Sequence, residues 1–224
     1  MSSARDEILG TVRRSLGVTG KERPRIAEVE NRLAGAPRGV LPERGQLSGD
    51  ALLALFKAQA EATLASYAEV DSAADVPEAV ADYLRQGNLP ARLRMGEDRR
   101  LAAMPWGDTA LDVSTGRSDG RDLVAVNHAF GAVAETGTLV VASGAGTPTT
   151  LNFLPDYAIA IVSRKDIAGD YETVWQRLRE HYGKGAMPRT VNWITGPSRS
   201  ADIEQTMLLG AHGPRSLHVI VVKD

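Results

Sequence analysis

The chain has 224 residues, 43% of them hydrophobic and 24% charged, with a formal net charge of −2. This is an ordinary globular composition with enough apolar material for a core, and no overall field draws it to nucleic acid or to an anionic membrane. There is no cysteine, which excludes disulfides, thiol catalysis, a Cys-ligated zinc site and an iron–sulfur cluster held by this chain alone. The first residues carry no apolar run of the kind a secretory signal needs, and the runs at 158–162 and 219–222 are too short to span a bilayer, so the expected location is cytoplasmic with no membrane span.

Residues 4–16 read as an amphipathic helix, with Ile8, Val12 and Leu16 on one face and Gly17 at its stop. From Val18 to Gln46 no period holds. Pro24, Pro37 and Pro42 with Gly20, Gly35, Gly39 and Gly45 suggest an extended arm, wrapping the domain or mediating homo-oligomerisation. The division is therefore 1–46, helix and arm, and 47–224, one α/β domain. Ser48 is placed to cap a helix from Gly49 to about Ala65. Tyr67–Val70 reads as a strand, and Asp75-Val76-Pro77-Glu78 as the start of a helix that ends at Gly87.

Arg92–Met95, Ala110–Val113, Asp122–Val126, Leu139–Val141, Tyr157–Val162, Thr190–Thr195 and Ser216–Val222 read as strands. Asn152–Leu154 reads as a helical turn, Tyr171–Tyr182 as a helix capped by Asp170, and Ser200–Leu209 as a second helix. Alternating strands and helices predict a three-layer α/β/α domain on a mainly parallel sheet.

Two stretches carry candidate chemistry. In Ala134-Glu135-Thr136-Gly137-Thr138-Leu139, a carboxylate, two hydroxyls and a glycine precede an apolar run. Such groups at the end of a central strand can hold a small molecule, with Gly137 letting it approach the backbone. A strand with a polar lead-in turn explains them equally well. In Ile194-Thr195-Gly196-Pro197-Ser198-Arg199-Ser200-Ala201-Asp202-Ile203-Glu204, a glycine turn leads into a helix start, where free N–H groups with Ser198, Arg199 and Ser200 can grip an anion. Asp202 and Glu204 oppose that, and a plain capped helix with Arg199 paired to Asp202 or Glu135 is the alternative.

His128 and His212, each in a glycine-containing segment, are candidate acids or bases or plain structural histidines. His181 suits a helix C-terminus, and His218 a structural place in the last strand. The four histidines lack metal-ligand spacing, so no metal is expected. Of Trp106, Trp175 and Trp193, only Trp193, beside a strand end, suits a ligand wall.

The order Ala132-Val133-Ala134-Glu135-Thr136-Gly137-Thr138, then Leu154-Pro155 before an apolar strand, then Gly196 to Glu204, then Gly210-Ala211-His212-Gly213-Pro214 resembles the LUD-domain family. Within it, the match is to the LutC/YkgG branch of lactate-utilisation proteins, over roughly residues 50–222. The resemblance implies a fold similar to the NagB/RpiA/CoA-transferase-like superfamily. It also implies a non-redox part in oxidising L-lactate to pyruvate beside iron–sulfur LutA-like and LutB-like partners, with no cofactor in this chain and the clusters on those partners. The family often carries a His after the Leu-Pro pair and an Arg before it; here Ala158 and Thr150 stand there.

Three readings follow from the resemblance and the residues. The first is a subunit binding a small carboxylate through Gly196, Ser198, Arg199 and Ser200, with Glu135, Thr136, Gly137, Thr138, His128 and His212 around the ligand. The second is a CoA-transferase-like enzyme with Glu135 as nucleophile and His212 beside it. The third is an interaction domain. The first two expect Glu135 and Arg199 to share one cleft near His212.

Overall fold

The structure, a computed structural model, describes residues 3–201 and 207–223. The chain divides into two compact units, Met1–Val40 and Leu41–Asp224. The first holds helices α1 (Ala4–Leu16) and α2 (Arg23–Gly35). Gly17 closes α1 at φ 63, as the sequence predicts, and a capping box between Ser3 and Asp6 opens it. The extended arm is corrected. Pro24 lies in the first turn of α2, where no N–H is needed, and Gly35 is its last residue. Residues that look like breakers are helix boundaries, and Ile26, Val29 and Leu33 between them keep helical spacing.

The second unit runs α3 (Gly49–Ala62), β1 (Ser66–Val70), α4 (Val76–Gln86), β2 (Arg92–Met95), α5 (Arg99–Ala102), β3 (Asp112–Thr115), β4 (Val124–His128), β5 (Gly131–Val133) and β6 (Thr138–Ala142). It continues α6 (Thr150–Phe153), β7 (Tyr157–Ser163), β8 (Ile167–Ala168), α7 (Tyr171–Tyr182), β9 (Val191–Ile194), β10 (Arg199–Ala201), β11 (Met207–Leu209) and β12 (Ser216–Val222). Six strands form a parallel sheet in the order β1-β12-β7-β4-β2-β3. The long apolar runs of β7 and β12 sit in its middle, covered on both faces.

On one face, Val76, Val80 and Leu84 of α4 pack with Leu101, Met104 and Trp106. On the other lie Leu53, Phe56 and Ala60 of α3 and the inner residues of a second sheet. That second sheet is four-stranded, ordered β8-β5-β6-β9. Its outer side is covered by Val174 and Leu178 of α7, with Trp175 and Trp193. The domain is thus α/β with a mainly parallel sheet between helices, and a smaller sheet is inserted on one side.

Two expectations change here. Leu139–Val141 is a buried strand, but β6 runs antiparallel to β5 and β9 in the small sheet, not inside the parallel one. The helix expected over Ser200–Leu209 is not formed at its ends. Ser200 pairs with Leu208 and Arg199 with Leu209 across the antiparallel β10–β11 pair. Its middle, with Asp202 and Glu204, lies outside the described residues.

Candidate functional site

Ala134 to Gly137 form the tight turn joining β5 to β6, so this stretch sits at a hairpin of the small sheet rather than at the carboxyl rim of the large one. Glu135 is 4% exposed. Its Oε2 is buried and accepts no hydrogen bond, and the nearest cation is Arg44 Nε at 3.8 Å. Arg44 belongs to the short 3-10 turn Glu43–Gly45, which lies across Glu135. Gly45 and Gly169 meet there backbone to backbone, with no room for a Cβ on either. A carboxylate nucleophile must reach its electrophile; this one is covered.

The hydroxyls are spent internally. Thr136 Oγ1 and Thr138 Oγ1 are 2.7 Å apart, each is 3.0 Å from Tyr171 Oη, and Thr138 Oγ1 is 2.6 Å from Thr195 Oγ1. Gly137, at φ 65, admits no ligand. A Cβ there would stand 2.6 Å from the carbonyl carbon of Gln59, so the missing side chain makes way for α3. Gly196, at φ 70, does the same one turn further on, at the C-cap of that helix, where a Cβ would collide with the Thr63 carbonyl oxygen. Both signature glycines therefore close on α3.

The other stretch does build a site. Ser198 N–H donates to the Pro214 carbonyl at 2.8 Å, the Gly210 N–H to the Ser198 carbonyl at 3.0 Å, and the His212 N–H to Ser198 Oγ at 3.2 Å. These bonds lace Gly196–Arg199 to Gly210–Pro214 over a cavity of about 270 Å³. Gly196, Ser198, Arg199 and His212 line its mouth; Leu139, Val141 and Ile194 of the small sheet face Ala158, Ala160 and Leu217 of the large one below. Arg199 is exposed and has no acidic partner among the described residues. Neither Ser200 nor Glu135 lines this cavity. Glu135 therefore does not share the cavity that Arg199 lines; the acid sits beside Arg44 instead.

Sequence reasoning missed Asn127 and Asn152, both buried in the cavity wall. Asn127 Nδ2 donates to Asn152 Oδ1 at 2.7 Å, which leaves Asn127 Oδ1 buried without a donor. The available signal was an amide inside an apolar run, Val124-Ala125-Val126-Asn127.

His128 belongs to a different place. It ends β4, 3% exposed, and lines a wider hollow of about 980 Å³ at the carboxyl ends of β2, β4 and β7. The strand order reverses between β2 and β4, the position where open parallel sheets leave a crevice. His128 Nδ1 lies 2.8 Å from the Ala129 carbonyl, which places the proton on Nδ1 and leaves Nε2 as an acceptor. Burial, and then the Arg100 guanidinium, hold its pKa below the ordinary value. Arg100 in turn grips Asp98, Nε to Oδ1 at 3.0 Å and Nη2 to Oδ2 at 2.7 Å. Burial works to raise the Asp98 pKa, but the Arg100 hydrogen bonds and charge outweigh it and leave a net lowering.

His181 ends α7 and stacks edge-on against Phe130 at 5.4 Å. His218 is buried in β12, as expected of a structural residue, stacked on Tyr83 at 4.2 Å with Nδ1 2.8 Å from Ser66 Oγ. Trp106 is core; Trp193 lines the smaller cavity.

Residues 123–222 match the family profile described as LUD domain. A lactate utilization protein C of Geobacillus sp. (strain WCH70) is 37% identical over 135 residues, 56% of this chain and 56% of the relative. The lactate utilization protein C of Bacillus subtilis (strain 168) is 37% identical over 93 residues, 41% of this chain and 39% of the relative. The chain thus spans about half or less of the length of these curated relatives. A crystal structure of a DUF162 family protein from Deinococcus radiodurans superposes with a TM-score of 0.59 at 24% identity, covering 79% of this chain and 99% of that one, a likeness of fold. No helix among the described residues is long and apolar enough to cross a membrane.

Proposed function

We propose, for a chain that carries a LUD domain over residues 123–222 and is similar to lactate utilization proteins C, that it serves L-lactate utilisation as a cytoplasmic, non-redox subunit. It binds a small carboxylate in the cavity beneath Arg199 and His212 and assembles with iron–sulfur partner subunits of the LutA and LutB kind. One observation carries this reading. Every residue lining the cavity lies between Asn127 and Leu217, inside the stretch matched to the family.

The chemistry supports a binding role. A guanidinium with no acidic partner among the described residues stands at the mouth and can take a carboxylate by two parallel N–H···O bonds, and His212 adds a second polar group. The apolar walls take the remainder of the ligand. Oxidising lactate to pyruvate removes two electrons, and a chain without cysteine has no thiolates for a cluster. Electron transfer is therefore assigned to partners.

Two measurements test it together. Titration calorimetry of the purified chain with L-lactate and with pyruvate should show binding that Arg199→Gln weakens roughly tenfold, the scale of a lost charge-assisted hydrogen bond. Tagged chain recovered from lactate-grown cells should bring with it protein containing iron and acid-labile sulfide. Failure of both acids to bind, together with recovery of the chain free of iron, overturns the reading and leaves an interaction domain.

A further inference from the structure

The floor of the cavity is the unusual part. β7 presents Ile159 and Ile161 to the α4 side, where the sheet is tightly filled. On the other face lie Ala158, Ala160 and Val162, and of β7 the two small alanines line the cavity together with Ile159. Across from these alanines stand Leu139, Val141 and Ile194 of the small sheet, with Leu217 beside them on β12. These residues of the two sheets belong to one hydrophobic cluster, and a hollow of about 270 Å³ remains beside the small alanine side chains.

The volume is larger than lactate needs. One water occupies about 30 Å³ of the liquid, so the cavity has room for the equivalent of about nine, whereas lactate has the bulk of roughly four. With its carboxylate at Arg199, lactate would extend one methyl group toward this floor and leave most of the apolar space unfilled. Water is a poor filler, because a stable buried water needs two to four polar partners, and the deep wall offers the unpaired Asn127 Oδ1 among aliphatic groups. An empty apolar cavity forfeits the contacts of its lining atoms.

From this we propose that the cavity takes a 2-hydroxy acid with a branched or aromatic tail, its carboxylate at Arg199 and its tail on Ala158 and Ala160. The two alanines set the tail length. This inference rests on the reading of the cavity as a carboxylate site and narrows it to a class of ligand bulkier than lactate.

The test holds the head group constant and varies the tail. L-lactate, 2-hydroxy-4-methylpentanoate and 3-phenyllactate are titrated into the full chain by calorimetry. Each buried methylene should tighten binding about fourfold, so the branched acid should bind at least roughly tenfold more tightly than lactate. Ala160→Val narrows the deep end and should remove that advantage. Ala158→Val, nearer the mouth, should do likewise, and near-ultraviolet circular dichroism identifies whichever variant keeps the native packing. Equal or tighter binding of lactate overturns the tail inference while leaving the carboxylate site in place. A tail-dependent gain that survives in both folded valine variants also overturns it. Failure of all three acids to bind overturns the carboxylate reading itself.

Discussion

Arg44 Nε stands 3.8 Å from Oε2 of Glu135, and the two side chains are 63% and 5% exposed. A nearly buried carboxylate oxygen without a hydrogen bond thus has one cation, and that cation is mostly in solvent. Solvent screens such a pair, so its worth is on the order of 1 kcal/mol. Its loss would also leave the carboxylate uncompensated under the Glu43–Gly45 turn. Arg44→Ala should therefore lower unfolding stability by about 1–2 kcal/mol in urea titrations. In the Glu135→Gln background the same substitution should cost close to nothing, because no charge is left to compensate. An equal cost in both backgrounds would show that the two residues are not coupled.

Gly137 and Gly196 each stand where α3 touches a turn. Both have positive φ, 65 and 70, and at both a Cβ would run into helix backbone, which cannot swing aside as a side chain can. Gly137→Ala should destabilise by about 2–4 kcal/mol, combining left-handed strain with overpacking. Gly107, with open space around its Cβ position and no positive φ, is the control and should tolerate alanine with little change. A Gly137→Ala variant with wild-type urea midpoint would show that α3 gives way at no cost.

These glycines also show what was readable in the sequence and what was not. Long apolar runs such as Tyr157–Ser163 and Ser216–Val222 announced themselves, because central parallel strands are buried on both faces. The stop at Gly17 and the cap at Asp170 were equally plain. The small sheet was not legible, since β5 and β8 are three and two residues long and have no period to detect. In the motif around Glu135, the residue types suit a ligand turn and a packed hairpin alike. Only the position of α3, brought in from a distant part of the chain, decides that Gly137 faces a helix. By contrast, Ser198 and His212 meet through hydrogen bonds between two loops, a juxtaposition that local pattern cannot give and that the resemblance alone suggested.

His218 gives the protein an acid-side instability of known sign. Burial pushes its pKa down from 6.5 to about 4. Between those values the unfolded chain binds a proton that the folded chain refuses, so stability rises with pH across the window. The benefit of keeping the ring neutral is complete above pH 6.5, shrinks as the pH falls, and is gone near pH 4. Its full extent is about 3 kcal/mol. His218→Phe keeps a ring against Tyr83 but does not titrate. Urea unfolding at a series of pH values should show a shallower loss for that variant between pH 6.5 and 4 than for the wild type. Parallel curves would remove His218 as the source.

His128 offers a second titration, at the carboxyl rim of the parallel sheet. Its pKa is depressed first by burial and next by Arg100, while Asp98 acts to raise it. Arg100 also occupies Asp98 through a hydrogen-bonded ion pair at 2.7 Å. Removing Arg100 changes both influences in one direction: the repelling cation goes, and the Asp98 carboxylate is released to act on the imidazole. Arg100→Ala should thus move the His128 titration upward in a nuclear magnetic resonance pH series, whereas Arg100→Lys, which keeps the charge, should leave it low. A companion Asp98→Asn variant should shift His128 further down, because its attracting carboxylate is lost. If Arg100→Ala leaves the His128 midpoint where it was, the guanidinium does not act on the ring, and burial alone keeps it neutral.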